Sequence, residues 1–209
     1  MSLFILWLGV MFPLVFSPGP ANIVFAASGA KVGVKRSMPL VAGVDCIFFL
    51  KSLIIGFGLG QALQNHPMIM NSLQMVGALY LIYLAITFIK SSAKTADNDA
   101  KTMGFIDGML IQLLNSKGWL MVFLMFTLFT EQAEVNFGDY GILVLVLWLA
   151  VLNISMHIVW VKAGALLANL SSSERYAQAL NLFYASSLLV VSIWLIIENK
   201  IWSSMGKLF

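Results

Sequence analysis

Six stretches of about twenty or more mostly apolar residues dominate the chain, each long enough to cross a bilayer's hydrocarbon core as a helix. They run from Leu3 to Ala30, Pro39 to Leu63, Met68 to Ile89, Phe105 to Thr130, Tyr140 to Trp160 and Ala177 to Ile197. Pro39 suits the first turn of its helix, where its missing amide hydrogen is not needed. Six such helices use roughly 120 residues. The rest of the 209 form short connections, with no room for a separate soluble domain. A membrane barrel would alternate apolar and polar residues along each strand. Runs such as Ile142 to Leu152 and Leu188 to Ile197 are apolar almost throughout, so helices are favoured. Composition agrees: 60% of residues are hydrophobic and only 10% charged. Soluble domains carry about 25% charged residues. The balance argues against a disordered chain, a nucleic-acid-binding module or a soluble globular domain.

The connections predict orientation. Lys31, Lys35 and Arg36 follow the first span, Lys90, Lys94 and Lys101 the third, and Lys162 and Arg175 the end of the fifth. The connection around Gln61 to Pro67 has no Lys or Arg, and the one after the fourth span carries Glu131, Glu134 and Asp139. Basic connections mark the cytoplasmic side, so both termini are expected on the opposite, periplasmic side, despite Lys200 and Lys207 in the tail. Met1 to Phe16 has no basic region, so no cleaved signal peptide is expected.

The longest polar connection, Lys90 to Lys101, divides the chain into three spans plus three. A three-span unit that repeats must insert upside down the second time. The expected fold is therefore an all-α integral membrane domain of two inverted three-helix repeats, residues 1–98 and 99–209. The first span of each half is interrupted near its middle, by Ser17-Pro18-Gly19-Pro20 and by Asn115-Ser116-Lys117-Gly118. Paired interruptions of this kind point to a transport site near the membrane midplane. Proline donates no amide hydrogen and clashes with the carbonyl four residues earlier, so Pro18 and Pro20 free backbone groups that need partners or a wet cavity. A half-helix starting at Pro20 aims its positive end at that cavity, which suits a carboxylate.

Ionisable residues deep in a span usually face a cavity or a partner. Asp45 and Lys51 share the second span but point about 120° apart, so they are not expected to pair. Lys117 is the expected partner of Asp45, and the freed amides of a broken helix are the alternative. Lys51 either faces the cavity or snorkels. Asp107 suits the start of the fourth span's helix. Asn153 and His157 share a face of the fifth span, where interhelical hydrogen bonding is favoured over a place in the path. His66 is expected in a solvated loop. Gly56, Gly58 and Gly60 match no dinucleotide motif and suggest close packing or local flexibility, and Gly29 and Gly33 are a weak helix-contact signal. The single cysteine, Cys46, allows no internal disulfide and no thiolate metal site. No protease, hydrolase or nucleotide-binding motif is present, and neither an enzyme nor a cofactor is expected.

The chain resembles the LysE/RhtB family of amino-acid exporters over nearly its whole length. The resemblance rests on Ser17-Pro18-Gly19-Pro20-Ala21-Asn22, on Gly29, Gly33, Gly43 and Asp45, on Gly77-Ala78-Leu79-Tyr80-Leu81-Ile82-Tyr83-Leu84, and on Gly108 with Leu114-Asn115-Ser116-Lys117. The family's Asn-Pro-Lys reads Asn115-Ser116-Lys117 here, which implies a milder second break, and Lys51 departs from the family pattern. Gln112-Leu113-Leu114-Asn115 resembles the branch that exports cysteine and O-acetylserine. The resemblance implies a proton-driven secondary exporter, an antiporter of amino acids, in a bacterial inner membrane. Pro18, Gly19, Pro20, Asn115 and Lys117 would form the central site. Lys117 would meet the substrate carboxylate, Asp45 would carry the proton or hold the amine, and Asn22 would support the first break. The competing readings are a divalent-cation exporter, which would want clustered acids, His or Cys, and a membrane assembly protein without transport. The amino acid, the coupling ion and a homodimeric state are left open by the sequence.

Overall fold

The computed structural model describes residues 2–59, 67–92, 102–169, 174–197 and 199. Gly60, His66, Lys94, Lys101, Lys200, Lys207 and the expected repeat boundary at residue 98 lie outside them. Among the described residues the chain is helical, with no strand. The helices are α1 (Leu3–Phe16), α2 (Pro20–Ile54), α3 (Pro67–Ser92), α4 (Phe105–Leu114), α5 (Ser116–Phe137), α6 (Gly141–Asn169) and α7 (Glu174–Ile197). The stretches Pro20–Gly58 and Ser116–Ala168 are long and apolar enough to cross a membrane.

α2 is two helices. Gly33 has φ 77° and ψ 175°, a conformation essentially open only to glycine, and the chain turns there. Ser28 Oγ and Ser37 Oγ, nine residues apart, meet at 2.8 Å across the turn. We call residues 20–32 α2a and 34–54 α2b. Gly33 is thus a turn residue, not half of a helix-contact pair. Pro39 lies inside α2b rather than at its start, because the helix resumes directly after Gly33.

Six spans follow from these seven helices. At 1.5 Å per residue, α1 (14 residues) and α4 (10 residues) are each too short to cross about 30 Å of hydrocarbon. Each is completed by the helix that follows its break: α1 by α2a, and α4 by α5. α2b, α3, α6 and α7 are the remaining spans. Several helices outrun the apolar stretches. α5 continues to Phe137, which puts Glu131 and Glu134 on its last turns rather than in a loop, and α6 carries Lys162 within the helix.

The glycines decide which helices touch. A Cβ on Gly29 would stand 2.0 Å from Val161 O, and one on Gly164 would stand 1.9 Å from Ala26 O, so α2a and α6 cross backbone to backbone. Gly43 and Gly108 do the same for α2b and α4, against Phe105 O and Leu40 O. Gly56 packs on Ile142 and Phe126, and Gly58 takes φ 108° in the π-helical turn Ile55–Leu59 that ends the second span.

Among the described residues the buried apolar side chains form two clusters. One gathers Val24, Phe25, Leu40, Val44, Ala85 and Leu188. The other gathers Trp7, Met11, Phe48, Val122, Met125 and Leu149. The first break separates Val15 in one cluster from Ala21 in the other, and the second separates Ile111 from Trp119. Both breaks therefore lie at the seam between two apolar halves of the bundle. Large apolar side chains such as Ile106, Leu120, Val151 and Ile197 point outward.

Candidate functional site

The first break is a consequence of two pre-proline residues. Steric conflict with the following ring pushes such residues out of the helical region. Ser17, before Pro18, has φ −58° and ψ 142°, and Gly19, before Pro20, is fully extended. The helix stops at Phe16 and restarts at Pro20.

Stopping a helix orphans its last carbonyls, at a cost of several kcal/mol for each left unpaired in hydrocarbon. Here every one finds a donor. Leu14 O accepts from Ser17 Oγ at 2.9 Å. Val15 O accepts from Asn22 Nδ2 at 3.0 Å. Phe16 O accepts from Trp160 Nε1 at 3.2 Å, and Ser17 O accepts from both Asn22 Nδ2 and Lys117 Nζ. Asn22 thus holds two carbonyls across the break. Asn22→Leu is expected to lower stability by about 1–3 kcal/mol, as leaving buried acceptors unpaired does, and a thermal melt of the purified protein reads it.

The second break is shorter. Asn115 alone leaves the helix, with φ −77° and ψ 98°, and α5 starts at the next residue, whereas the first break is lengthened by a second proline, Pro18. Asn115 caps α5 through Oδ1, which accepts from Gly118 N at 3.4 Å, and its Nδ2 donates to Gln112 Oε1 at 3.1 Å. Trp119 Nε1 donates to Leu113 O at 2.9 Å. Gln112 O accepts from Lys51 Nζ.

Lys117 ties the breaks together. Its Nζ donates to Ser17 O and Ser17 Oγ, both at 2.8 Å. The stem crosses Gly19, where a Cβ would come within 3.0 Å of Lys117 Cδ, so glycine gives the lysine its route. Lys117 does not meet Asp45. The partner of Asp45 is His157, with Nδ1 2.7 Å from Oδ1 and both side chains largely shielded. The His157 ring also lies 4.6 Å from that of Phe25. Nor does Lys51 snorkel or line the cavity. It is 2% exposed, lies over the Trp119 ring at 4.3 Å, and has no carboxylate at ion-pair distance among the described residues. Asp107 accepts from Gly104 N at 2.8 Å at the start of α4, a capping role. Cys46 is exposed.

Between the breaks is a cavity of about 30 Å³. That is room for a water molecule or two. Gly19, Asn22, Asn115 and Lys117 line it together with Gln112, Asn153 and His157, and Phe48 and Met121 supply apolar wall. Pro18 and Pro20 line instead a larger apolar cavity of about 440 Å³, bordered by Leu120, Trp194 and Leu195, which shares Gly19 and Lys117 with the small one. Asp45 and Lys51 stand behind the small cavity, one touching it through His157 and the other through Gln112. Trp119 and Trp160 had no signal in their own sequence neighbourhood, and Gln112 stood out only through the resemblance of Gln112-Leu113-Leu114-Asn115 to one branch of the exporters. Asn153 and His157 had a local signal: two polar residues four apart on one face of an apolar helix.

Broken helices, a shielded polar cavity and charged side chains sealed inside an apolar bundle together define a helical membrane protein with a central polar site. The sequence model of the LysE type translocator family matches residues 12–199, and the chain belongs to that family. It is 25% identical to a cysteine/O-acetylserine efflux protein of Klebsiella pneumoniae over 87% of this chain and 91% of that one. It is 27% identical to the cysteine/O-acetylserine efflux protein of Escherichia coli K12 over 85% and 89%. No solved structure matches the chain.

Proposed function

We propose that the chain is a proton-coupled secondary exporter of a small amino acid or amino-acid derivative, of the kind its relatives are named for, in a bacterial inner membrane. The observation that carries this reading is Lys117, a cation that joins two helix breaks at the seam of the bundle through bonds to Ser17. A substrate carboxylate offers Lys117 an opposite charge as well as acceptor oxygens, a stronger partner than a neutral carbonyl and hydroxyl. Binding would therefore release Ser17 and uncouple the two breaks. A cavity of about 30 Å³ is too small for an amino acid, so the breaks must part to admit one. Pro18, Gly19, Pro20 and Asn115 shape the parting surfaces, and Asn22 keeps the first break satisfied meanwhile. Asp45, through His157, carries the exchanged proton at the cavity edge. Lys51 holds the end of α4.

The inverted-repeat reading has support in how the breaks are served. The first break, in span one, receives Trp160 from span five. The second, in span four, receives Lys51 from span two. Each half's second span thus serves the other half's first, as a two-fold relation requires. The predicted orientation has support as well. Because Gly29 meets Val161, the turn carrying Lys31, Lys35 and Arg36 shares an end with Lys162. Ser2 and Phe4 border one surface hollow with Glu131 at the acidic end. The basic end faces the cytoplasm and the N-terminus the periplasm.

The test is efflux of a labelled amino-acid panel from cells producing wild type or Lys117→Ala at matched membrane abundance. Wild type should speed loss of at least one amino acid, and the variant should not. Equal efflux from both would remove Lys117 from the mechanism.

A further inference from the structure

Two buried residues that border the small cavity, Asn153 and Gln112, carry side-chain amides without their full set of partners among the described residues. Asn153 is 1% exposed, and neither its Nδ2 nor its Oδ1 has a hydrogen-bond partner among the described residues. Gln112 is also 1% exposed. Its Oε1 is taken by Asn115, but its Nε2 has no partner among the described residues. Buried amides left unpaired cost stability, and an apolar residue of the same shape would remove the cost. Folding therefore gives no reason for an asparagine at position 153.

The surroundings keep these amides in place. Asn115 anchors the Gln112 amide by its oxygen and so leaves the nitrogen free. Gly118 leaves the space for that nitrogen, since a Cβ there would stand 2.6 Å from it. Asn153 lies on the same face of α6 as His157 and lines the same cavity. Lys117 lies at the breaks, and the walls include Phe48 and Met121.

We propose that Asn153 and Gln112 read the side chain of the transported amino acid and select an uncharged one carrying a hydrogen-bonding oxygen or sulfur. This rests on the exporter reading above and deepens it. With the carboxylate at Lys117, the substrate's side chain faces the amides. Two amide nitrogens donate to an ester or hydroxyl oxygen, and Asn153 Oδ1 accepts from a hydroxyl or thiol hydrogen. An aliphatic side chain leaves all three atoms unpaired when it displaces water from the cavity. A site built to hydrogen-bond its substrate discriminates strongly against analogues that cannot reciprocate.

The experiment compares wild type, Asn153→Leu and Gln112→Met at matched membrane abundance. It measures efflux of labelled cysteine, serine and O-acetylserine against alanine, 2-aminobutyrate and valine, together with the melting temperature of each purified protein. The ratio of polar to aliphatic efflux should fall by at least about ten-fold in Asn153→Leu and move the same way in Gln112→Met. The melting temperature of Asn153→Leu should hold or rise. An unchanged ratio in both variants overturns the proposal. So does an equal fall for every amino acid with a lowered melting temperature, which marks the amides as structural. If wild type itself moves no member of the panel, the exporter reading fails and this proposal falls with it.

Discussion

Gly164→Val should leave almost no folded protein. A Cβ at residue 164 would stand 1.9 Å from the backbone oxygen of Ala26, an atom that cannot rotate away as a side chain can. Only separation of α2a from α6 relieves the clash. That separation would also open the Gly29–Val161 crossing, the bond from Trp160 to Phe16 O and the hydrogen bond between His157 and Asp45. Overpacking a core typically costs about 1–3 kcal/mol, and a clash with fixed backbone lies at or beyond the upper end. The difference should show as a collapsed monodisperse peak on size-exclusion chromatography in detergent and a sharply lowered melting temperature. Gly9→Ala is the matched control, because a Cβ there meets nothing within 4 Å. It should elute and melt like wild type. A Gly164→Val protein of normal stability would show that the close crossing of α2a and α6 does not hold the bundle together.

Asp45→Asn should abolish export while leaving the protein in the membrane. The amide oxygen still accepts from His157 Nδ1, so the link between α2b and α6 survives the exchange. What the amide lacks is a proton it can take up and release. If that carboxylate–imidazole pair carries the coupling proton, accumulation against a gradient is lost. Exchange of substrate at equal concentrations on both sides, which needs no net proton movement, should persist in part. Labelled efflux from cells and equilibrium exchange in liposomes separate the two. Normal uphill export from this variant would remove Asp45 from coupling.

The spans and both breaks were legible because their signals are local. A run of apolar residues needs only its own length, and Pro18-Gly19-Pro20 fixes extended backbone through sterics between adjacent residues. The partners were less so. Asp45 meets His157, 112 positions away, and Lys117 meets Ser17, 100 positions away; both pairings depend on how the helices cross. The crossings are set by glycines such as Gly29 and Gly164, whose partner is a backbone oxygen that leaves no pattern in sequence. Gly33 was misread for a related reason. A turn glycine and a packing glycine look identical until φ is known. Lys51 was expected to face water or a cavity, whereas a carbonyl freed by a break on another helix and the face of Trp119 satisfy it. The stretch Gln112-Leu113-Leu114-Asn115 stood out only by resemblance, and the place of Gln112 at the cavity depends on the fold: Asn115 holds its amide oxygen and the bare Gly118 leaves room for its nitrogen.

The most direct test of the account is transport by the purified chain alone. Wild type and Lys117→Ala would be reconstituted into liposomes loaded with labelled cysteine, serine or O-acetylserine, and a pH gradient imposed with the outside acidic or alkaline. Wild-type liposomes should lose label faster than protein-free ones in one gradient direction, with the advantage removed by a protonophore. Lys117→Ala liposomes should leak like protein-free ones. Identical loss from wild-type, variant and protein-free liposomes, for every amino acid and both gradient directions, would contradict the claim that this bundle moves amino acids through the gap between its two broken helices.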